Sequence, residues 1–214
     1  ELVAQSDEAP LIATHQWKAQ QHYSQIMALE IPVATKPGSY SLQLVVYRQD
    51  NGEPLTLVES PQTVQGQRLQ LAQVELQPAR QIPDFPSMVA SFDYIDLLSA
   101  HLNLTEVAPG ETLNLEILWR PQPNPYRDSY TSIVELIDAS GQSKQSWKML
   151  IGGDEYPSVK WATLLPVRDI QHLAIHNDLP GGTYTLQLRL ERNSDQLPIP
   201  ASNWWGLIKY GSID

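Results

Sequence analysis

The sequence contains one phrase twice, and this repetition decides the fold. Residues 37–55 read "PGSYSLQLVVYRQDNGEPL", and residues 181–199, which lie 144 positions later, read "GGTYTLQLRLERNSDQLPI". The two stretches align without a gap. In each, apolar side chains alternate with polar ones, which is the period of a half-buried β-strand. Each phrase therefore predicts a strand that begins at a Gly-containing turn and ends in a hairpin.

The match extends upstream to a tryptophan that begins each copy. We call residues 17–55 the first copy and residues 161–199 the second copy. The matched positions are Trp17/Trp161, Leu29/Leu173, Ile31/Ile175, Gly38/Gly182, Tyr40/Tyr184, Leu42/Leu186, Leu44/Leu188 and Val46/Leu190. We interpret these pairs as structural repeat positions, and we expect both Trp17 and Trp161 to lie in a hydrophobic core. Each copy is predicted to hold a strand, a Gly-containing turn, a long strand and a hairpin.

The residues between the copies supply strands that the first copy lacks. Residues 83–90 form a proline-rich linker in our interpretation. Beyond it, apolar side chains alternate from Leu113 to Trp119, a proline-rich loop follows, and a strand–turn–strand pattern spans residues 129–150. This spacing of strands and turns is typical of an antiparallel β-sandwich.

The predicted fold class is all-β, with two tandem immunoglobulin-like antiparallel β-sandwich modules. Residues 91–214 form a complete second module, and residues 1–82 form the C-terminal part of a first module that is truncated at its N-terminus. A half sandwich exposes strand edges and a core face. We therefore expect residues 1–82 to pack heavily on the second module or to pair with another chain, and a closed sandwich within them would contradict the truncation.

Composition excludes several classes of protein. The 214 residues include no cysteine, so disulfides, thiolate metal sites and cysteine nucleophiles are excluded. The net charge of −10, with scattered Lys and Arg, argues against nucleic acid and against an anionic lipid surface as partners. The sequence also lacks the roughly 18 consecutive apolar residues that predict a membrane-spanning helix.

Several phrases together resemble a known family. They are "APGETLNLEILWRP" (residues 108–121), "YTSIVELIDASGQ" (residues 130–142), "DEYP" (residues 154–157), Trp161 and "LPGGTYTLQLRL" (residues 179–190). They resemble the extracytoplasmic β-sandwich domains that, in bacteria, follow the membrane region of dolichyl-phosphate-mannose mannosyltransferase-like glycosyltransferases. The resemblance implies an accessory module outside the cytoplasm, in the periplasm or at the cell surface. Its implied partner is the membrane-spanning part of its own parent protein.

Two groups of side chains were weighed as metal or acid–base sites. His172 and His176 have a spacing that binds zinc on a helix, but their segment reads as a strand, where they would stand roughly 13 Å apart. The carboxylate pairs Asp7-Glu8 and Asp154-Glu155 precede a proline in both modules, which favours a shared role in a turn over calcium binding. We predict no metal, no cofactor and no catalytic residue.

Exposed aromatic side chains are the candidate ligand-binding residues. Trp204 and Trp205 are adjacent, so one of them should be exposed if they lie on a strand. Trp147 and Tyr126 are less constrained by the pattern. An exposed aromatic ring could stack on a sugar or contact another protein.

These observations predict a non-catalytic extracytoplasmic accessory or interaction domain of a membrane glycosyltransferase-like protein. One alternative is a carbohydrate-binding β-sandwich module that presents exposed Trp and Tyr side chains, with a glycan as partner. A second alternative is a glycosidase, which would need two carboxylates about 5–10 Å apart in a cleft.

Overall fold

The computed structural model describes residues 2–56, 64–65, 67–78, 88–124, 128–201 and 209–213, and it describes side chains outside 64–65 and 209–213. This part of the chain is all-β, as the alternation predicted, and its helical turns are two short 3-10 turns at Thr14–Gln16 and Ser158–Lys160. The strands are β1 (Gly38–Leu44), β2 (Val64–Gln65), β3 (Arg68–Leu76), β4 (Ala90–Phe92), β5 (Ile95–Leu102), β6 (Thr112–Pro121), β7 (Tyr130–Ile137), β8 (Ser143–Leu150), β9 (Val167–Ala174), β10 (Gly182–Arg192), β11 (Pro198–Ile199) and β12 (Lys209–Ile213).

Residues 88–213, which we call the C-terminal segment, form two antiparallel sheets. One has the strand order β4-β5-β6-β9, and the other has the order β11-β10-β7-β8 with β12 also paired to β10. The predicted alternation is confirmed on β6, where every second side chain from Leu113 to Trp119 is buried. Within the predicted linker, residues 83–87 lie outside the described residues, and β4 begins at its last residue, Ala90.

Apolar side chains from both sheets share one hydrophobic core. Ile117 and Trp119 enter it from the four-stranded sheet, and Val134 and Leu188 enter it from the other sheet. The indole of Trp119 meets the ring of Phe92 edge-on, with ring centroids 6.5 Å apart. Each fully buried aliphatic side chain contributes roughly 1.5–3 kcal/mol, so this core dominates the stability of the segment.

Residues 2–78, which we call the N-terminal segment, form a smaller sheet in which β3 lies between β1 and β2. β1 and β3 pair antiparallel, with an irregularity in register between Leu42 and Gln43. Ala34 is the one buried hydrophobic residue among the described residues of this segment. The described residues therefore form no closed sandwich, and the heavy packing on the second module that we considered does not occur among them.

The sequence repeat is also a repeat of backbone hydrogen bonds. Turns in the first copy recur in the second copy at the same offset, with donor–acceptor distances that agree to within 0.2 Å. The donor–acceptor pairs, first copy then second, are Trp17–Thr14 and Trp161–Ser158, Gln21–Lys18 and Leu165–Ala162, Thr35–Pro32 and Leu179–His176, Arg48–Glu53 and Arg192–Leu197, and Gly52–Arg48 and Gln196–Arg192. The predicted hairpin turn at residues 48–52 is thereby confirmed.

Two side-chain hydrogen bonds recur as well. The hydroxyl of Tyr40 donates to the carbonyl of Lys36 at 2.8 Å, and the hydroxyl of Tyr184 donates to the carbonyl of Pro180 at 2.7 Å. Each tyrosine thus ties its strand to the turn that precedes it. The indole N–H of each repeat tryptophan likewise donates, at 2.8 Å, to the carbonyl five residues earlier. The turns and the side-chain hydrogen bonds therefore recur, but the strand before the Gly-containing turn does not, because Leu173 lies on β9 whereas Leu29 lies on no strand.

Burial does not follow the repeat. Trp161 is 7% exposed and belongs to the core, as predicted, whereas Trp17 is 47% exposed, so its prediction as a core residue is wrong. Trp17 stacks on Tyr23, with ring centroids 5.3 Å apart. The core around Trp161 is built by β4–β10 of the C-terminal segment, and no equivalent layer covers Trp17 among the described residues.

Candidate interaction surface

One of the four predicted ligand-binding aromatic residues lies in the described part of the chain. Trp147 sits on β8, half-buried, and packs against the core. Its indole N–H donates to the carbonyl of Ala174 at 3.2 Å, which ties β8 to the end of β9. Tyr126, Trp204 and Trp205 lie outside the described residues. The aromatic platform needed for glycan binding therefore stays a prediction.

The two histidines fit the strand interpretation. His172 lies on β9 and places its Nδ1 atom 2.7 Å from the side-chain oxygen of Asn114. His176 lies two residues beyond the end of β9, and its backbone N–H donates to the side chain of Gln145. Over the described ranges, no group of three or more His, Cys, Asp or Glu side chains could hold a metal ion.

The two acidic pairs do not occupy equivalent positions. Pro157, which ends the phrase with Asp154 and Glu155, is the N-cap of the second 3-10 turn. The N-cap of the first 3-10 turn is Ala13, not Pro10. Asp154 and Glu155 lie in a turn, as predicted, whereas Asp7 and Glu8 do not, so the turn role is confirmed for the second pair and wrong for the first.

A buried polar cluster lies where the two segments meet. Asp169, on β9, is 2% exposed and accepts hydrogen bonds from the backbone N–H of Gly152 at 3.2 Å and from the side chain of Gln171 at 3.0 Å. Its cationic partner, Lys36, belongs to the N-terminal segment and places Nζ 3.3 Å from Oδ1. Beside it, the backbone N–H of Arg168 donates to the carbonyl of Ala34 at 2.9 Å. A buried charge and a backbone hydrogen bond therefore join the segments.

Arg168 also links β9 to the neighbouring strand β6 of the same sheet. Its guanidinium donates to the carboxylate of Glu116 at 2.5 Å, and this hydrogen bond holds the pKa of Glu116 below its ordinary value. The carboxylate is thus held in its charged form by the neighbouring strand.

Sequence reasoning missed this cluster, although a signal was present. On β9 the inward positions hold Val167, Asp169, Gln171 and Leu173, so two polar side chains interrupt an apolar alternation. A buried carboxylate needs a cation and hydrogen bonds, because desolvation strongly disfavours its charged form. This interruption could have indicated that Asp169 has a buried cationic partner. It could not have identified that partner, because Lys36 is 133 positions away in sequence. Lys36 and Asp169 bind each other at this junction, so we assign the pair a structural role.

The two copies differ in the strands that pair with their long strand. In the C-terminal segment, β10 has β7 on one side and β11 and β12 on the other. In the N-terminal segment, β1 pairs with one described strand, β3.

Apolar positions that are buried in the second copy are exposed in the first copy. Five apolar residues of the first copy are 37–52% exposed, whereas their counterparts in the second copy are 0–7% exposed. We call these five residues the open face; they are Trp17, Leu29, Ile31, Leu44 and Val46. We treat these five side chains as the candidate interaction residues, because exposed apolar side chains that form a patch mark interaction sites in soluble proteins.

Comparisons with known proteins assign no family. No protein-family model matches the chain, and no curated protein matches it either. Within the described residues, no helix is long and apolar enough to cross a membrane. The role of the chain must therefore be inferred from its own residues.

Proposed function

We propose that this chain is a non-catalytic accessory and interaction domain, built from tandem immunoglobulin-like β-sandwich modules of which the first is incomplete. The observation that carries the proposal is the open face: positions that form a core in the second copy are presented to solvent in the first. A surface of this kind serves binding to other polypeptide rather than chemistry.

Three features support the immunoglobulin-like interpretation. The C-terminal segment has two antiparallel sheets around one core. A tryptophan, Trp119, is fully buried on a strand of one sheet. In both copies a tyrosine hydroxyl bonds back to the backbone four residues upstream, which resembles the tyrosine corner of immunoglobulin-type sandwiches.

The non-catalytic role is supported by the state of the buried carboxylates. Asp169 is paired with Lys36, and Asp96 accepts hydrogen bonds from Arg120 and Gln122. A catalytic carboxylate must reach a substrate, whereas these two are enclosed and occupied by protein groups. Their arrangement favours a structural role over the glycosidase alternative.

The proposed setting is outside the cytoplasm, attached to a membrane protein related to glycosyl transfer. It is supported by the resemblance of residues 108–121, 130–142 and 179–190 to the accessory domains of such proteins, and it agrees with a sequence free of cysteine. The proposed partner is the membrane-spanning part of the same parent protein.

The test is to read the coding sequence upstream of Glu1 and to locate its full product in cells. We expect several apolar segments of about 20 residues upstream, and we expect an external protease to cut this domain in intact spheroplasts. A product without such segments, recovered in the cytoplasmic fraction and protected from the protease, would overturn the proposal.

A further inference from the structure

We propose that this chain forms a homodimer in which the sheet of the N-terminal segment packs face to face on the same sheet of a second copy. The inference rests on the interaction role proposed above and deepens it, because it names the partner, the surface and the geometry of the contact. It does not depend on the attachment to a membrane protein.

The register of β1 and β3 gives this sheet one apolar side and one polar side. Residues directly opposite each other on paired strands place their side chains on the same side of the sheet. The opposed pairs on the apolar side, which we call the apolar sheet face, are Tyr40–Val74, Leu42–Ala72 and Leu44–Leu69. The opposed pairs on the polar side are Ser39–Glu75, Ser41–Gln73 and Gln43–Gln70.

Water reaches the apolar sheet face. Leu44 is 37% exposed and Val74 is 40% exposed. Over the described ranges, the buried side chains of the hydrophobic core and those packed against it all belong to the C-terminal segment, so that core does not cover this face. A small sheet with an apolar face gains stability when another layer covers that face. The apolar sheet face therefore needs an occupant.

The surface area of the chain is large enough for a stable dimer. The chain exposes 14209 Å², whereas a compact monomer of 24.1 kDa exposes about 10,000 Å². The difference of about 4,000 Å² exceeds the roughly 1,000–2,500 Å² that each partner buries in an obligate homodimer. Most large apolar side chains that are exposed in the described ranges belong to the N-terminal segment; the exceptions are Leu104, Val159, Leu164 and Leu197. The spare apolar surface is therefore concentrated in the segment that holds the apolar sheet face.

The chemistry of the apolar sheet face favours a second copy over a charged partner. None of its residues is charged, so its complement is another uncharged apolar surface of similar size. The same face of a second copy meets this requirement, because a two-fold axis lets identical patches bury each other. The C-terminal segment already contains a contact of this kind, since Ile117 and Val134 enter one core from two different sheets.

The polar side of the sheet fixes the orientation of the dimer. The two-fold axis lies in the plane midway between the two sheets, which stand about 10 Å apart when they pack face to face. Ser41 and Gln73, on the polar side, then remain in solvent on the outside of both sheets. The dimer thus buries the apolar side chains and keeps the polar ones hydrated.

The first experiment measures the mass of residues 1–214 in solution by sedimentation over a range of concentrations. We expect a monomer–dimer equilibrium with a Kd of about 1 μM or tighter, and above it a mass of twice 24.1 kDa. Because each copy has a net charge of −10, added salt should tighten the dimer by screening the repulsion between copies. A chain that stays monomeric at about 100 μM would overturn the proposal.

Two neighbouring residues of β3 provide a matched pair of variants. Val74→Lys places a charge on the apolar sheet face, and Gln73→Lys places the same charge on the polar side. Both positions are exposed, so both variants should fold, and circular dichroism verifies this. We expect Val74→Lys to weaken the dimer at least about a hundredfold, because the symmetric contact buries the charge twice, and Gln73→Lys to change the Kd less than about threefold. Equal Kd values for the two variants would contradict the face-to-face contact.

A single introduced thiol reports which side of the sheet the dimer covers, because the chain has no cysteine of its own. Ala72→Cys lies on the apolar sheet face, and Gln73→Cys lies on the polar side. We expect alkylation of Ala72→Cys to slow at least about tenfold from dilute to concentrated protein, and alkylation of Gln73→Cys to keep its rate. Equal slowing of both thiols would contradict the proposal. A monomer in which Ala72→Cys is already protected would overturn it, because the chain would then cover the face itself.

The failure of this inference is distinguishable from that of the proposed function. If the chain is monomeric but its full product has membrane spans and an external domain, the dimer is wrong and the membrane attachment stands. If the chain dimerises through the apolar sheet face but its full product is cytoplasmic, the attachment is wrong and the dimer stands.

Discussion

The first and second copies have nearly the same turns but very different environments. Backbone hydrogen bonds agree pair by pair at the repeat offset, and both tyrosines tie their strand to the preceding turn. Yet Trp17 is exposed where Trp161 is buried. The difference teaches that the repeated phrase determines turn geometry within one copy, because its hydrogen bonds are local. Burial depends on strands that lie elsewhere in the chain.

The largest expected effect is at Gly152, whose backbone lies close to the buried Trp161. Gly152 has φ +80°, and an added Cβ would lie 2.2 Å from the carbonyl oxygen of Tyr156 and 2.9 Å from the indole of Trp161. We expect Gly152→Ala to lower the free energy of unfolding by about 4 kcal/mol, from the left-handed backbone and the clash together. Gly141→Ala, with φ +82° and open space around it, should cost about 1 kcal/mol. Denaturant unfolding measures both, and equal losses would contradict the close packing.

The next prediction compares the copies directly. Leu188 is 6% exposed in the core, and its counterpart Leu44 is 37% exposed. We expect Leu188→Ala to lower the free energy of unfolding by about 3 kcal/mol and Leu44→Ala to lower it by less than about 0.5 kcal/mol. Chemical denaturation of the two variants provides the measurement. A similar loss for Leu44→Ala would mean that the first copy already has a packed core.

A smaller effect is expected at the junction of the segments. Lys36→Met leaves the buried carboxylate of Asp169 without its cation, which should cost about 2 kcal/mol, less than a fully buried pair because Lys36 keeps partial contact with water. Arg48→Met removes the exposed pair with Asp50 and should cost less than about 0.5 kcal/mol. Thermal or urea unfolding measures both variants. An unchanged stability of Lys36→Met would show that the ion pair does not stabilise the junction.

The smallest effect concerns the turn between β7 and β8, which has no counterpart among the described residues of the N-terminal segment. The hydroxyl of Ser140 donates to Asp138 at 2.6 Å and, with the N–H of Gln142, holds the pKa of Asp138 well below its ordinary value of 3.8. The stabilisation is therefore complete above about pH 4 and is lost as the pH falls from 3.8 through the lowered pKa. We expect Ser140→Ala to raise this pKa toward 3.8, as followed by carboxyl NMR titration. Ser143→Ala, on the same hairpin, should leave it unchanged.

Much of the fold could be predicted from residues that are close in sequence. Alternation on β6, the turn after Arg48 and the turn after Asp138 were all readable, because each depends on side chains and hydrogen bonds within a few positions. The exposure of Trp17 and the pairing of Lys36 with Asp169 were not readable. Both depend on contacts between distant parts of the chain, and no local pattern encodes the partner.

The sequence by itself determined the all-β class and the turn geometry that both copies share. These follow from side-chain period and from turn residues whose backbone preferences act over a few positions. Only the tertiary structure decided which copy has a core, because burial requires a second sheet to cover the first.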